Sequence, residues 1–219
     1  MTTLAVYRSQ ALDLLGDAAG ERYTNAVLDA AIRQVLAEYN ASSPYMDEAE
    51  HTIVVTSRSQ PLTGLAGASI NLISIVQVFY PYTTGQDSPT ELNGWYEYSD
   101  SGTPSLNCSQ LVPQTGEKFL IRYARGHTLK DFAGETDTTI PPGHQAFFLA
   151  GIAALAVYVR IAQTTEMHKS DPKQIKDLHI LSNLLRKQWD TFIIRIRAAS
   201  ARRDGPLPSD NWGIDAWDC

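Results

Sequence analysis

The stretch from Ile140 to Ile161 limits what this chain can fold into more than any other part of the sequence. Pro141 and Pro142 fit a strand exit or a first helical turn, because their fixed φ suits both and their missing N–H groups are not needed there. The residues that follow, 146–159, are apolar without interruption. A helix that is apolar on every side must be buried on every side, so we expect the rest of the chain to pack around this one.

Three environments can bury such a helix: a protein core, a membrane or a subunit interface. At about 1.5 Å per residue the run spans roughly 21 Å, short of the ~30 Å hydrocarbon layer, so we predict a core helix and no membrane span. A chain of 219 residues has few elements to cover the helix, and we expect another copy of the chain to supply part of the cover. The candidates for the core or for this interface are Phe147, Ile152, Ala153, Ala154, Leu155 and Tyr158.

Length and composition indicate one large folded domain, or one domain with an insertion. The net charge of −6 is uneven, since residues 1–145 carry 8 Lys/Arg against 16 Asp/Glu and residues 146–219 carry 10 against 8. This asymmetry argues against a general nucleic-acid binder, which would show a basic surface over the whole domain. Cys108 and Cys219 lack metal-site spacing and are expected to be free thiols in a reducing compartment. The first fifteen residues show no secretion signal.

Helical spacing of apolar residues predicts three further helices. Gly16 is suited to end the first helix, and Thr24 is suited to cap the second. Asp171 and Pro172 supply an N-cap followed by proline at the first helical position, which starts the third. The predicted bounds are 3–15, 25–40 and 172 to about 199.

Between the helices the pattern changes to that of strands separated by Gly-, Pro-, Ser-, Asp- and Asn-rich turns. We expect an α+β fold in which a four-helix bundle, two helices N-terminal and two C-terminal, carries an inserted, mostly antiparallel β domain and an extended C-terminal tail. The predicted strands are 51–57, 70–80, 94–99, 106–112 and 118–123. The predicted division is a helical domain of 1–49 and 141–203, a β domain of 50–140 and a tail of 204–219.

The last helix has an apolar face and a basic face. The apolar face is predicted from Leu178, Leu181, Leu185, Phe192 and Ile196, widened by Leu184, Trp189 and Ile193. Three interpretations of the basic face stay open: contact with nucleic-acid phosphates, a solvated surface favoured by the helix dipole, or contact with an acidic protein such as an identical neighbour. The residues of the basic face are Arg186, Lys187, Arg195, Arg197, Arg202 and Arg203.

Catalytic and cofactor motifs are not found in this sequence. It contains no nucleophile elbow, phosphate loop, dinucleotide fingerprint or zinc-protease motif. The segment from Gly64 to Ser69 resembles a phosphate-binding turn, but it lacks the lysine and does not open a helix. Five scattered histidines do not predict a metal site, which needs three or four ligands held together. We therefore expect no catalytic residue, no metal, no cofactor and no enzyme activity.

A group of aromatic residues in the β region offers an alternative function. Flat rings stack on sugars, so these residues could form the binding surface of a carbohydrate- or ligand-binding module. The competing interpretation is the core and rim of a small sheet, which we favour. The residues are Phe79, Tyr80, Tyr82, Trp95, Tyr96 and Tyr98.

The order of elements, with two local patterns, resembles the head-tail adaptor (connector) proteins of long-tailed bacteriophages. The first pattern is Asp13-Leu-Leu-Gly-Asp17 followed by Arg22-Tyr-Thr-Asn-Ala-Val-Leu-Asp29. The second is Ile121-Arg-Tyr-Ala-Arg-Gly-His127, leading to Thr138-Thr-Ile-Pro-Pro142 and the alanine-rich helix. The recognisable parts are 4–42 and 117–200; residues 60–115 match nothing in this family.

The resemblance implies a ring of twelve copies in the virion neck, assembled in the host cytoplasm. Such a ring sits beneath the portal protein and continues the channel for genomic double-stranded DNA, without sequence recognition, toward a tail terminator, stopper or tail-tube protein. Acidic surface would let DNA pass without sticking. In this family the C-terminal segment docks onto the portal, which implies that role for the tail here. Its candidate anchors are Leu207, Trp212, Ile214 and Trp217.

Overall fold

The computed structural model describes residues 2–65, 72–100, 103–166 and 172–203. Within these ranges the chain forms four α-helices and six β-strands, so the expected mixture of helices and antiparallel strands is confirmed. The helices are α1 (Leu4–Leu14), α2 (Asn25–Ser42), α3 (Gln145–Glu166) and α4 (Pro172–Arg203). The strands are β1 (Tyr45–Thr52), β2 (Ser59–Pro61), β3 (Leu72–Phe79), β4 (Trp95–Asp100), β5 (Thr103–Cys108) and β6 (Lys118–Arg125).

Helix α3 lies against the other three helices and supplies the centre of their shared core. Tyr7 of α1 meets Phe148 of α3 edge-on, with ring centroids 5.4 Å apart. Ile32 of α2 and Trp189 of α4 are fully buried in the same cluster. Each large apolar side chain buried in this way contributes about 1.5–3 kcal/mol relative to exposure.

The ends of α1 and α2 follow local chemistry. The Thr3 hydroxyl oxygen accepts the Val6 N–H at 3.5 Å, and Gly16 just past the end of α1 adopts φ +64°, which a residue with a side chain rarely does. The predicted stop at Gly16 is therefore confirmed. Helix α2 starts at Asn25 as predicted, while α4 continues to Arg203, beyond its predicted end at about 199, because no Pro or Gly interrupts it.

The strands form two three-stranded antiparallel sheets, in the orders β1-β6-β3 and β2-β5-β4. Their shared core is a second cluster that includes Leu106, Phe119 and Ile121. The prediction of a strand at 51–57 is wrong, since β1 runs eight residues from Tyr45 and ends at Thr52. Buried Gln60 explains the difference, because its amide donates to the carbonyls of Val55 and Ser57 and holds that segment as a loop.

Two of the four outward residues of strand β1 are charged, and both pair with residues of β6. Glu48 pairs with Arg122 of β6, and Glu50 pairs with Lys118 at 2.7 Å. These cross-strand ion pairs join residues that lie far apart in sequence, where local propensity gives no signal.

The outer edge of β3 is covered by other parts of the same chain. The Glu97 carboxylate of β4 accepts the Ile75 N–H at 3.0 Å. Farther along, the Leu92 N–H donates to the Val78 carbonyl at 2.7 Å, and the Tyr80 N–H donates to the Thr90 carbonyl at 3.0 Å. Backbone groups at both ends of this edge are therefore satisfied within the molecule.

The segment between β6 and α3 returns to the helices. Leu129, Phe132 and Ile140 are buried in the helical core, and the Leu4 N–H donates to the Lys130 carbonyl at 3.0 Å. The division into helical parts 1–49 and 141–203, a β part 50–140 and a tail stays a prediction. These contacts show that the last residues of the segment 50–140 help to bury the helices.

Candidate assembly surface

The inner face of α3 packs tightly on α4 and α2. A Cβ added at Gly151 would lie 2.9 Å from the Trp189 ring and 3.1 Å from Val35, so only glycine fits this crossing without displacement. Three of the six core or interface candidates, Ile152, Ala153 and Ala154, are buried here. The small side chains of Ala153 and Ala154 let Leu185 of α4 approach closely.

The outer side of α3 is only partly buried within one chain. Tyr158 is 63% exposed and Leu155 is half-buried. Phe147 is 37% exposed, although its ring stacks on Phe192 of α4 with centroids 4.6 Å apart. Three other helices and the segment before α3 cover only part of the circumference, and cover of the remaining side by another copy of the chain stays a prediction.

Helix α3 is longer than the apolar run from which the sequence excluded a membrane span. Helix α3 has 22 residues, about 33 Å at 1.5 Å per residue, and the stretch Pro142–Thr164 is long and apolar enough to cross a membrane by length and composition. Half of its most apolar window is buried inside the protein. Contact with α1, α2 and α4 is typical of a core helix, which passes the same test of length and composition.

Helix α4 carries apolar residues on the side that points away from the core. Ile180, Leu184 and Ile194 are 59%, 56% and 67% exposed. With exposed Lys187 and Thr191 they recur at i, i+4, i+7, i+11 and i+14, one line along a helix, and we call these five residues the outer stripe of α4.

The predicted position of Leu184 on the buried face is wrong. Leu185 and Trp189 take the inner positions, and Leu184, turned about 100° from Leu185 around the helix, is 56% exposed. Ile180 and Ile194 were not assigned to either face from the sequence. Their spacing with Leu184 was the signal that could have identified the stripe.

The six basic candidates do not share one face. Arg186 lies 3.3 Å from Glu38 of α2 and 2.9 Å from Asp190, and Glu38 also accepts the Trp189 indole N–H at 2.7 Å. Arg197 donates to the Ser42 hydroxyl at 3.0 Å. These two arginines therefore fasten α4 to α2.

Lys187 and Arg195 are exposed on α4, away from those contacts. The side chains of Arg202 and Arg203 lie outside the described residues. The prediction of a single basic face is corrected accordingly, because a helix places Arg186 and Arg197 on the side facing α2.

An open groove of about 520 Å³ runs between α2 and α4. Its charged residues are already paired across it, as the contacts of Glu38 and Arg186 show. The groove therefore fastens the two helices and offers few free polar groups to a ligand. Its lining is Glu38, Ala41, Ser42, Arg186, Asp190, Ile193, Ile194 and Arg197.

Two histidines and a tyrosine join the helices to the segment after β6. Tyr39 lies at the centre, with its hydroxyl 2.5 Å from His144 Nδ1 and its ring 4.7 Å from the His127 ring. His127 Nε2 is 3.0 Å from the Ser43 carbonyl, and its Nδ1 is 3.1 Å from both the carbonyl and the hydroxyl of Thr139. Donation from Nε2–H to Ser43 and from the Thr139 hydroxyl to Nδ1 satisfies a neutral ring.

Burial governs the protonation of this cluster. It lowers the pKa of His127 and of His144, and it raises the pKa of Tyr39 to about 12. The cluster is therefore neutral near pH 7. Its contacts join α2 to the segment after β6 and to the start of α3.

The residues that carried the family resemblance make structural contacts in this molecule. The buried Asp17 carboxylate accepts the N–H groups of Arg22 and Tyr23 at 2.8 and 2.9 Å. Burial opposes ionisation of Asp17, but these backbone donors outweigh it and lower its pKa. Asp29 forms a bidentate ion pair with Arg8 at 2.8 and 2.6 Å. The first pattern thus orders the α1–α2 connection.

The aromatic residues proposed for sugar binding do not form one platform. Phe79 is buried, and Tyr80 and Trp95 pack against the sheet core. Tyr96 and Tyr98 are exposed with ring centroids 6.3 Å apart. The core-and-rim interpretation agrees better with this arrangement.

Several expectations fall on parts of the chain that carry no structural description. The tail candidates Leu207, Trp212, Ile214 and Trp217 lie outside the described residues, as does most of the glycine-containing turn after Leu65. Within the described ranges no group of three His, Cys, Asp or Glu residues could hold a metal ion. Cys108 is a buried free thiol, whose pKa burial raises.

No known protein family matches the chain, and no curated protein matches it. Among solved structures, the chain is similar to one from the neck of an empty GTA particle computed with C6 symmetry. The identity is 15% and the TM-score 0.29, over 68% of this chain and 74% of the other. A TM-score this low does not establish a shared fold, and no functional statement about this chain follows from it.

Proposed function

We propose that this chain is a non-enzymatic structural protein of a phage neck: a head-tail adaptor that forms a homo-oligomeric ring, of twelve copies, in the virion. The ring docks beneath the portal protein and continues the channel for genomic double-stranded DNA. Its lower side meets a tail terminator, stopper or tail-tube protein. No metal, cofactor or membrane takes part, and assembly takes place in the host cytoplasm.

The observation that supports this proposal is the pair of exposed apolar sites on the two long C-terminal helices. Tyr158 on α3 and Ile180, Leu184 and Ile194 on α4 are all more than half exposed, although the chain has a well-formed core. Apolar residues at helical spacing on an outer face favour association with another protein surface. A ring supplies such a surface, because every copy presents one side to its neighbour.

The resemblance to head-tail adaptors assigns roles to the two local sequence patterns and to the tail. Its two local patterns coincide with the Asp17 turn and the His127 joint, which are internal contacts that fix how the helices meet. The tail, 204–219, is the proposed portal-docking segment, with aromatic anchors of the kind that dominate binding energy at interfaces.

The test is the mass of the purified chain, alone and mixed with portal rings, by light scattering and negative-stain imaging. Rings, or a monomer that becomes a ring on a portal, are expected. A monomer near 24.2 kDa that binds no portal would contradict the proposal.

Deletion of 204–219 is expected to leave the circular dichroism spectrum unchanged and to abolish portal binding. Full portal affinity in the deleted chain would show that the tail is not the docking segment, while leaving ring formation to be judged from the mass.

A further inference from the structure

We infer that, in the free chain, the segment 204–219 folds back and docks on the outer stripe of α4 of the same molecule. This contact goes beyond the neck role and stands whether or not a portal is the tail's later partner. It assigns an occupant to the exposed apolar residues Ile180, Leu184 and Ile194.

The segment 204–219 and the outer stripe of α4 are chemically complementary. The segment 204–219 contains four aspartates and no lysine, arginine or histidine, together with Leu207, two tryptophans and Ile214. Helix α4 carries eight lysines and arginines against two aspartates. Its outer stripe combines three exposed apolar residues with Lys187, and exposed Arg195 lies beside it. An acidic, tryptophan-bearing peptide fits a surface of this composition.

The segment 204–219 is long enough to extend along the whole outer stripe. The segment begins directly after Arg203, the last residue of α4. Sixteen residues can span at most about 53 Å, at up to ~3.3 Å each, whereas the distance back along the helix from Arg203 to Ile180 is about 35 Å. The segment therefore reaches the whole stripe even after some residues are used to reverse direction. Gly205 and Pro206 lie where that reversal is needed, and both residue types favour turns.

Tethering raises the effective concentration of the segment 204–219 at the outer stripe. A segment tethered at the end of the helix meets its own stripe at roughly millimolar effective concentration, which exceeds that of a second copy in dilute solution. Docking in this way covers apolar surface that would otherwise face solvent, and it keeps the tail tryptophans covered until a competing partner binds.

The experiment is zero-length carbodiimide cross-linking of the full-length chain, with cross-linked peptides identified by mass spectrometry. We expect Asp210 or Asp215 to become joined to Lys187 or Lys176. The Glu50–Lys118 ion pair, at 2.7 Å, is the internal positive control for the reaction. An equal mixture of ¹⁴N- and ¹⁵N-labelled protein separates links within one chain from links between chains.

A double variant tests whether the stripe is the contact. Leu184→Glu with Ile194→Glu is expected to lower the yield of tail links at least about tenfold, because two apolar contacts are lost and two acidic groups face an acidic segment. Both positions are exposed, so the fold and the Glu50–Lys118 link should persist. Val54→Glu, at a residue 76% exposed on another surface, is the matched control and should leave the yield unchanged.

Each other outcome overturns the inference. Links of mixed isotope composition would assign the stripe to a second copy of the chain. A Glu50–Lys118 link without any link from the tail to α4 would place the tail elsewhere. Undiminished tail links in the double variant would show that the apolar stripe does not hold the segment.

Discussion

The inner and outer faces of the α3–α4 helix pair both carry apolar residues, but those of the inner face are buried and those of the outer face are exposed. On the inner face Ala153 and Trp189 are fully buried, Ala153 against α4 and Trp189 in the core that all four helices share. On the outer face Tyr158, Leu184 and Ile194 are more than half exposed. Apolar character alone therefore does not separate residues that stabilise the fold from residues that are available to another surface. The contacts made within one chain separate them.

The largest expected effect is on the inner face. Ala153→Arg places a charge at a fully buried site without a partner, and we expect it to lower the free energy of unfolding by more than about 4 kcal/mol or to prevent folding. Urea titration followed by circular dichroism measures this. Tyr158→Arg on the same helix is the matched control and should change stability by less than about 0.5 kcal/mol. Equal stability of the two variants would remove the distinction between the faces.

A smaller effect is expected where the inner face is most crowded. Gly151→Ala puts a methyl group 2.9 Å from the Trp189 ring, and overpacking of about 1–3 kcal/mol should exceed the ~1 kcal/mol gained in helix propensity. Gly143→Ala meets no atom within 4 Å and serves as the control. A thermal midpoint for Gly151→Ala above that of the parent would show that the helices can separate at this crossing.

Acid should weaken the polar joint beside the inner face. Because the folded-state pKa values of His127 and His144 are lowered, the unfolded chain binds protons more readily in the range just below the ordinary histidine pKa of about 6.5. Stability is therefore expected to fall as pH falls through that range. His127→Gln should reduce the dependence of the urea midpoint on pH between 7.5 and 5.5. An unchanged dependence would assign the effect to other groups.

The smallest effect on stability is expected on the outer face. Leu184→Ser and Ile194→Ser should each change the free energy of unfolding by less than about 0.5 kcal/mol, since neither side chain belongs to the buried core. The mass measured by light scattering should nevertheless decrease, because in the proposed ring a neighbouring copy replaces the tail on this stripe. Val54→Ser, exposed on another surface, should change neither property. A large loss of stability in Leu184→Ser would show that Leu184 contributes to the buried core, like the residues of the inner face.

The elements of the fold that depend on a local sequence pattern could be predicted from the sequence. The unbroken apolar run predicted α3, and the alternation in 118–123 predicted β6. Strand β1 was placed wrongly because Glu48 and Glu50 are outward residues that pair with Arg122 and Lys118, which no local pattern reveals.

The candidate surface was readable only in part. The Trp189 ring explains why residue 151 has no side chain, and that contact is visible only in the structure. The sequence could not decide which apolar residues of α4 face outward, because that helix has apolar residues on two sides. The sequence also could not show that Arg186 and Arg197 face α2. Their partners Glu38 and Ser42 lie in contact with them but about 150 residues away in the sequence.

The covered edge of β3 bears on how such a chain behaves at high concentration. An open strand edge invites the same strand of another molecule, and growth by that route ends in fibres rather than closed assemblies. Here the Glu97 carboxylate and the Thr90–Leu92 backbone occupy donors and acceptors along that edge. Replacing Glu97 would reopen one of those positions. At these positions the β3 edge is therefore closed to pairing with a strand of another molecule.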